Sequence, residues 1–156
     1  PVAAAAYAGR DMVVKMLLAR GADGRKPDDT GKPPIVYAAA GGQLGIVKQL
    51  LALDIDVNTR YANDLTLLMW ASGPDESVAE AQAHEIVAYL LEAGAKIDDR
   101  DARGRTALMI AAEGNHPTIV KALLAHGADP ALTDKAGKRA ADLTVLSELR
   151  EKLTPR

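Results

Sequence analysis

The sequence predicts an all-α fold, a solenoid of stacked helix-turn-helix pairs, and three observations predict it: a recurring apolar motif, a helix stop after each copy, and a scarcity of large rings. The motif is Val13-Val14-Lys15-Met16-Leu17-Leu18, Ile46-Val47-Lys48-Gln49-Leu50-Leu51, Ile86-Val87-Ala88-Tyr89-Leu90-Leu91 and Ile119-Val120-Lys121-Ala122-Leu123-Leu124. Apolar residues at i, i+1, i+4 and i+5 form the stripe of a helix pressed between neighbours. Val13 and Ile46 lie 33 residues apart, as do Ile86 and Ile119, whereas Ile46 and Ile86 are 40 apart. One period therefore carries seven extra residues. Glycine follows the stripe in Gly21-Ala22-Asp23, Gly94-Ala95-Lys96 and Gly127-Ala128-Asp129, where a helix ends in a left-handed residue. The second copy has Asp54-Ile55-Asp56 instead, a poorer stop. Phenylalanine is absent and aromatics make up only 3%, so Ala, Leu, Val and Ile must fill the interior. Thin layers of closely spaced helices suit that material; a thick core would want rings.

The remaining elements follow in order. A short Ala-rich helix precedes each stripe: Ala3 to Ala8, Ile35 to Ala40, Leu67 to Ala71 and Leu108 to Ala112. Polar runs join the pairs, namely Asp28-Asp29-Thr30-Gly31, Arg60-Tyr61-Ala62-Asn63-Asp64, Asp99-Arg100-Asp101-Ala102-Arg103-Gly104 and Thr133-Asp134-Lys135-Ala136-Gly137. Their Asp, Asn and Gly content is that of tight turns. The chain thus reads as one domain, 1–156, with repeats at about 1–27, 28–60, 61–100 and 101–133 and a C-terminal cap at 134–156. In the cap, Lys138 to Thr144 begins like a fifth repeat and shortens into a charged helix, Ser147 to Leu153. A polar outer face is what the end of a stack requires. No cap precedes the first repeat, so fraying is expected at residues 1–8. The extra residues fall within Gly73 to His84. Seven residues are about two α-turns, which shift the helical phase by only about 20°. That predicts an acidic helix from about 75 to 92, protruding from the stack; it is either tolerated drift or a partner-specific feature.

The pattern resembles the ankyrin repeat. Leu65-Thr66-Leu67-Leu68-Met69-Trp70-Ala71 and Arg105-Thr106-Ala107-Leu108-Met109-Ile110-Ala111-Ala112 are versions of its Thr-Pro-Leu-His-x-Ala signature. Pro33-Pro34-Ile35-Val36-Tyr37-Ala38-Ala39 is a third, and Pro1-Val2-Ala3-Ala4-Ala5-Ala6 is a fourth without its start. The family histidine is replaced by Ala3, Val36, Met69 and Met109, and an inter-helix glycine by Asn115. The resemblance implies an ankyrin-repeat solenoid with β-turn or hairpin connections, binding partners with turn tips and the concave face of the short inner helices. Carried over position by position, the turn-tip candidates are Asp29, Lys32, Tyr61, Asn63, Arg103, Arg105, Lys135 and Lys138. The inner-helix candidates are Tyr7, Tyr37, Trp70, Ile110 and Glu113. Trp, Tyr and Arg are the types most enriched at binding hot spots. Trp70 has two readings, a hot spot or a wedge between adjacent repeats.

Chemistry finds little footing. His84-Glu85-Ile86-Val87 opens like a zinc-protease motif, but Ala88 stands where the second histidine belongs. The run from Asp99 puts Arg103 and Ile110 in calcium-ligand slots. Gly24 to Gly31-Lys32 has the wrong spacing for a phosphate loop and runs into Pro33-Pro34. No catalytic residue, metal site or cofactor is expected. A net charge of −2 and a pI near 5.9 argue against nucleic acid as partner, and no stretch approaches the roughly 18 apolar residues of a membrane span. The expected function is a monomeric scaffold or adaptor that binds a protein. The alternative is a regulatory or targeting domain cut from a larger, possibly enzymatic, protein, since the chain begins at Pro1. Direct small-ligand or enzymatic activity is a distant third. The Ala-rich, Cys-free, Phe-free composition reads as bacterial. The compartment stays open between the cytoplasm and, behind a removed signal peptide, a bacterial periplasm.

Overall fold

The computed structural model describes residues 1–154 and shows ten α-helices and no strand among them. They are α1 Val2–Tyr7, α2 Asp11–Ala19, α3 Pro34–Ala40, α4 Leu44–Leu51, α5 Leu67–Ser72, α6 Glu80–Glu92, α7 Ala107–Glu113, α8 Pro117–Ala125, α9 Ala140–Leu143 and α10 Ser147–Leu153. The odd-numbered helices α1, α3, α5, α7 and α9 pack in series as an inner row, and α2, α4, α6 and α8 stand behind them as an outer row. Small residues set this spacing: Ala6, Ala38, Ala39, Ala71, Ala111 and Ala112 are fully buried where inner helices meet.

Helix starts follow local chemistry. Pro34 and Pro117 occupy the first turn of α3 and α8, where a missing N–H costs nothing. Thr66 and Thr106 cap α5 and α7 by accepting hydrogen bonds from the backbone N–H of Met69 (3.4 Å) and Met109 (3.3 Å). Where the family carries histidine, the sulfur of Met69 accepts the Thr66 N–H at 3.5 Å, so the start of α5 is closed by a softer acceptor. Helix ends follow the glycines, with φ of 82° at Gly21, 90° at Gly94 and 89° at Gly127. Asp54 takes the same slot at φ 57° and accepts the strain of a left-handed L residue.

The core is the stripe. Ile46, Leu50, Ile86, Leu90, Ile119 and Leu123 are each at most 1% exposed. Val13, the counterpart in the first repeat, is 45% exposed, and Met12 and Met16 beside it are 65% and 48% exposed. Among the described residues nothing stacks on that side of α2. At the opposite end α10 turns Leu149 and Leu153 inward and its charges outward. Asn115, in the left-handed conformation at φ 56°, ties this cap down: its side-chain oxygen accepts from the Thr144 hydroxyl (2.8 Å) and the Val145 N–H (3.2 Å).

Two expectations need correction. Residues 1–8 are not loose in this structure: Val2–Tyr7 is a helix with Val2, Ala3, Ala5 and Ala6 buried, packed on α3. The insertion is also not a protruding helix from 75. The helix begins at Glu80, and residues 73–79 fold back over the stack. The Asp75 N–H donates to the Ala40 carbonyl (3.2 Å), and Val78 lies over Gly42 in the neighbouring repeat. On the other side, the Glu80 carboxylate accepts from the backbone N–H of Thr118 (2.6 Å) and Ile119 (3.3 Å), capping α8. Burial of Val78 and one satisfied carbonyl outweigh the small gain of two more helical turns.

Candidate functional site

The four turns share one geometry. In each, the first residue's N–H donates to the carbonyl four residues on: Asp28 to Lys32, Tyr61 to Leu65, Asp101 to Arg105 and Asp134 to Lys138, at 2.9–3.0 Å. The fourth residue takes positive φ, Gly31, Asp64, Gly104 and Gly137. In three of them the opening aspartate turns in on its own backbone. Asp101 accepts the N–H of Arg103 (2.8 Å) and Arg105 (2.9 Å), Asp134 those of Ala136 (2.8 Å) and Lys138 (2.9 Å), and Asp28 those of Thr30 (2.9 Å) and Lys32 (3.2 Å). These bonds, led by the Lys138 N–H, hold the Asp134 carboxyl below its usual range. At Asp28 the Tyr37 hydroxyl, donating at 2.6 Å, is the largest cause, Thr30 the second, and the carboxyl lies far below the ordinary value. The same contact raises the Tyr37 hydroxyl above its own.

The last three turns are laced together. The Ala102 N–H donates to the Asn63 carbonyl (2.9 Å), the Lys135 N–H to the Arg103 carbonyl (3.0 Å), and the Lys135 ammonium to the Ala102 carbonyl (2.7 Å). Behind them, Arg60 reaches the Arg100 carbonyl and Arg100 the Thr133 carbonyl, both at 2.7 Å.

The predicted residues separate into three groups. Asp29, Asn63, Arg103, Lys135 and Lys138 are exposed on the turn edge. Tyr7, Tyr37, Lys32 and Trp70 form a lane along the inner helices. Tyr7 and Tyr37 meet edge to face at 5.5 Å, and the Lys32 ammonium lies 5.7 Å from the Tyr37 ring and 5.6 Å from the Trp70 ring. Trp70 is half-buried against the core and its indole N–H is shielded without an acceptor. Ile110 continues the lane one repeat on, also half-buried, abutting Gly73. Both readings of Trp70 thus find support in its position.

Three candidates sit differently from the rest. Tyr61 is not at a tip: it occupies the inward slot that aspartate holds in the other turns and packs against the core. Burial raises its hydroxyl above the ordinary value. It lines a cleft of about 470 Å³ with Pro33, Ile35, Ile55 and Arg60. Arg105 and Glu113, chosen separately, are each other's partner, and Arg105 also reaches Asp134 at 3.4 Å. Its side chain is only 14% exposed, so it braces two repeats. Two histidines stand at the ends of α8. His116 is the N-cap of α8, and the His126 ring nitrogen bonds the Ala122 carbonyl at 2.8 Å. Sequence reasoning missed Asp28 as the anchor of Tyr37. The aspartate shared by three turns was the signal available for it.

Comparison with known proteins agrees with this architecture. A family model described as ankyrin repeats (3 copies) matches residues 2–80 and 63–134. The chain is 33% identical over 134 residues to the ankyrin repeat and KH domain-containing protein mask-1 of Caenorhabditis elegans, covering 83% of this chain and 5% of that protein. It is 37% identical over 119 residues to ankyrin repeat domain-containing protein 63 of Mus musculus, covering 72% and 30%. It is 32% identical over 120 residues to a transient receptor potential cation channel subfamily A member 1 homolog of Caenorhabditis elegans, covering 77% and 9%. The chain therefore spans between 5 and 30% of the length of these relatives.

Proposed function

Because the chain belongs to the ankyrin repeat family, whose repeats generally mediate protein–protein interactions, we propose that it is a monomeric scaffold or adaptor binding a protein partner through its concave face and turn tips. The observation that carries this reading is the lane of Tyr7, Tyr37, Lys32 and Trp70. Tyr7 is 74% exposed at the end of α1, and Tyr37 and Trp70 are half-buried beside it along the lane. Aromatic side chains bring large contact area at low entropic cost, which suits them to a binding surface. On this reading the chain works by recognition.

The test is capture from lysate by the wild type, by Tyr37→Ala and by Trp70→Ala, each checked by thermal denaturation. A binding lane predicts a protein captured by the wild type and lost from folded variants; an unchanged set of captured proteins ends the reading. A second reading, a regulatory or targeting domain of a larger protein, draws on the small share of each relative that this chain covers. The full-length gene decides it: an open reading frame closing near Arg156 with only a short arm upstream removes it. The relatives named above are animal proteins, and they lend no support to the bacterial source read from composition.

A further inference from the structure

The turn edge is electrically lopsided. Asp28, Asp29 and Asp64 against Lys32 leave the first two turns at −2, while Arg103, Arg105, Lys135 and Lys138 against Asp101 and Asp134 leave the last two at +2. Pairing locates the surplus. The side chains of Asp101 and Asp134, 1% and 3% exposed, accept backbone N–H groups and also pair with Arg103 and Arg105, so these four charges largely cancel. Arg103, though 58% exposed, is held by the Asp101 carboxylate at 3.0 and 3.1 Å, which leaves Lys135 and Lys138 as the exposed cations. Lys135 donates only to a carbonyl, which leaves its charge uncancelled, and the Lys138 ammonium has no partner among the described residues. Arg105 contributes little, because Glu113 and Asp134 neutralise it. At the other end, Asp29 and Asp64 stand exposed.

We propose that the occupant of this surface is an acidic protein segment, its carboxylates lying across Lys135 and Lys138 and an adjoining apolar residue resting on Trp70 and Ile110. This deepens the concave-face reading and rests on it. The half-buried Trp70 and Ile110 supply apolar floor, and the basic turn tip further along the stack fixes which way round the segment lies. Charge complementarity of this kind sets orientation and association rate. A nucleic-acid strand fits less well. Its uniform phosphate charge would meet Asp29 and Asp64 further along the same edge, on a protein of net −2.

The experiment selects a phage-displayed random-peptide library on the 156-residue chain, then measures fluorescein-labelled copies of the enriched peptides. The proposal expects peptides with clustered Asp or Glu beside an apolar residue. Their affinity should fall about tenfold or more on the double variant Lys135→Glu/Lys138→Glu, and should weaken from about 50 to 200 mM salt. Both lysines are exposed, so the variant should melt like the wild type, and Lys135→Gln/Lys138→Gln gives an intermediate check. Enriched peptides without acidic bias, or equal affinity on the double variant, overturn this inference. The concave-face reading then survives if Trp70→Ala still abolishes binding. Failure to enrich any peptide overturns both. Comparable binding of labelled oligothymidylate also overturns it, since the surface would then be a general polyanion binder.

Discussion

The junction between the first and second repeats differs from the two junctions that follow it. Interior junctions are fastened at more than one level. Arg60 and Arg100 brace the loops behind the turns, the insertion of the third repeat holds Ala40 on one side and Thr118 on the other, and between the third and fourth repeats the turn tips also exchange backbone bonds. The first junction has Pro27 where Arg60 and Arg100 stand, and so no such brace. It relies on Arg25 donating to the Leu53 carbonyl, Gln49 donating to Asp11 at 2.8 Å, and the meeting of Tyr7 with Tyr37. Its outer helix leaves Met12, Val13 and Met16 in solvent. Equivalent sequence positions therefore differ in burial and bonding, and the added bonds of the insertion fall on both sides of the longest repeat.

The largest effect should come from asking the same stripe position the same question in two repeats. Ile86→Ala removes a fully buried side chain and should cost about 2–5 kcal/mol, whereas Val13→Ala should stay within about 0.5 kcal/mol. Urea denaturation of both variants measures the contrast, and equal losses would break it. Gly42→Ala comes next. Gly42 holds φ 72°, and a Cβ there would stand 2.7 Å from a Val78 methyl, so strain and the displaced insertion together should cost at least about 1–2 kcal/mol. Glu80→Ala deletes the acceptor that caps α8 from the neighbouring repeat and should cost about 1 kcal/mol. In hydrogen exchange, the amides of Thr118 and Ile119 should lose protection before those of α4.

The smallest effect is in acid. Folding lowers the carboxyls of Asp28 and Asp134, so their contribution is complete above the ordinary carboxylate range and is lost as pH falls below it. Asp134→Asn should lower the melting temperature modestly at neutral pH and converge with the wild type in acid, which flattens part of the acid limb of the profile. A profile parallel to the wild type would mean that the turn bonds contribute equally to the unfolded chain.

How much of this was legible depends on whether a residue's role is periodic. The 33-residue spacing, the glycine stops and the cap at Ser147 to Leu153 all rest on patterns one helix can express alone, and the structure matches them. Roles created across repeats were not legible. Helix propensity spoke for a start near Asp75, but a carbonyl at Ala40 and a space over Gly42 lie some 35 residues upstream and decided otherwise. Tyr61 read as a tip because its segment is a turn, yet the opening slot of every turn points inward. Arg105 and Glu113 are eight residues apart, a spacing no helix or hairpin rule pairs.

The insertion's double attachment has a kinetic consequence. A chain of near-equal repeats can begin ordering anywhere, with each interface waiting on its neighbours. Here the third repeat, once formed, offers a docking point to the second through Asp75 and Val78 and to the fourth through Glu80. Nucleation in the centre then lowers the entropic cost of both flanks at once, and ordering should spread outward, reaching α1 and α2 last.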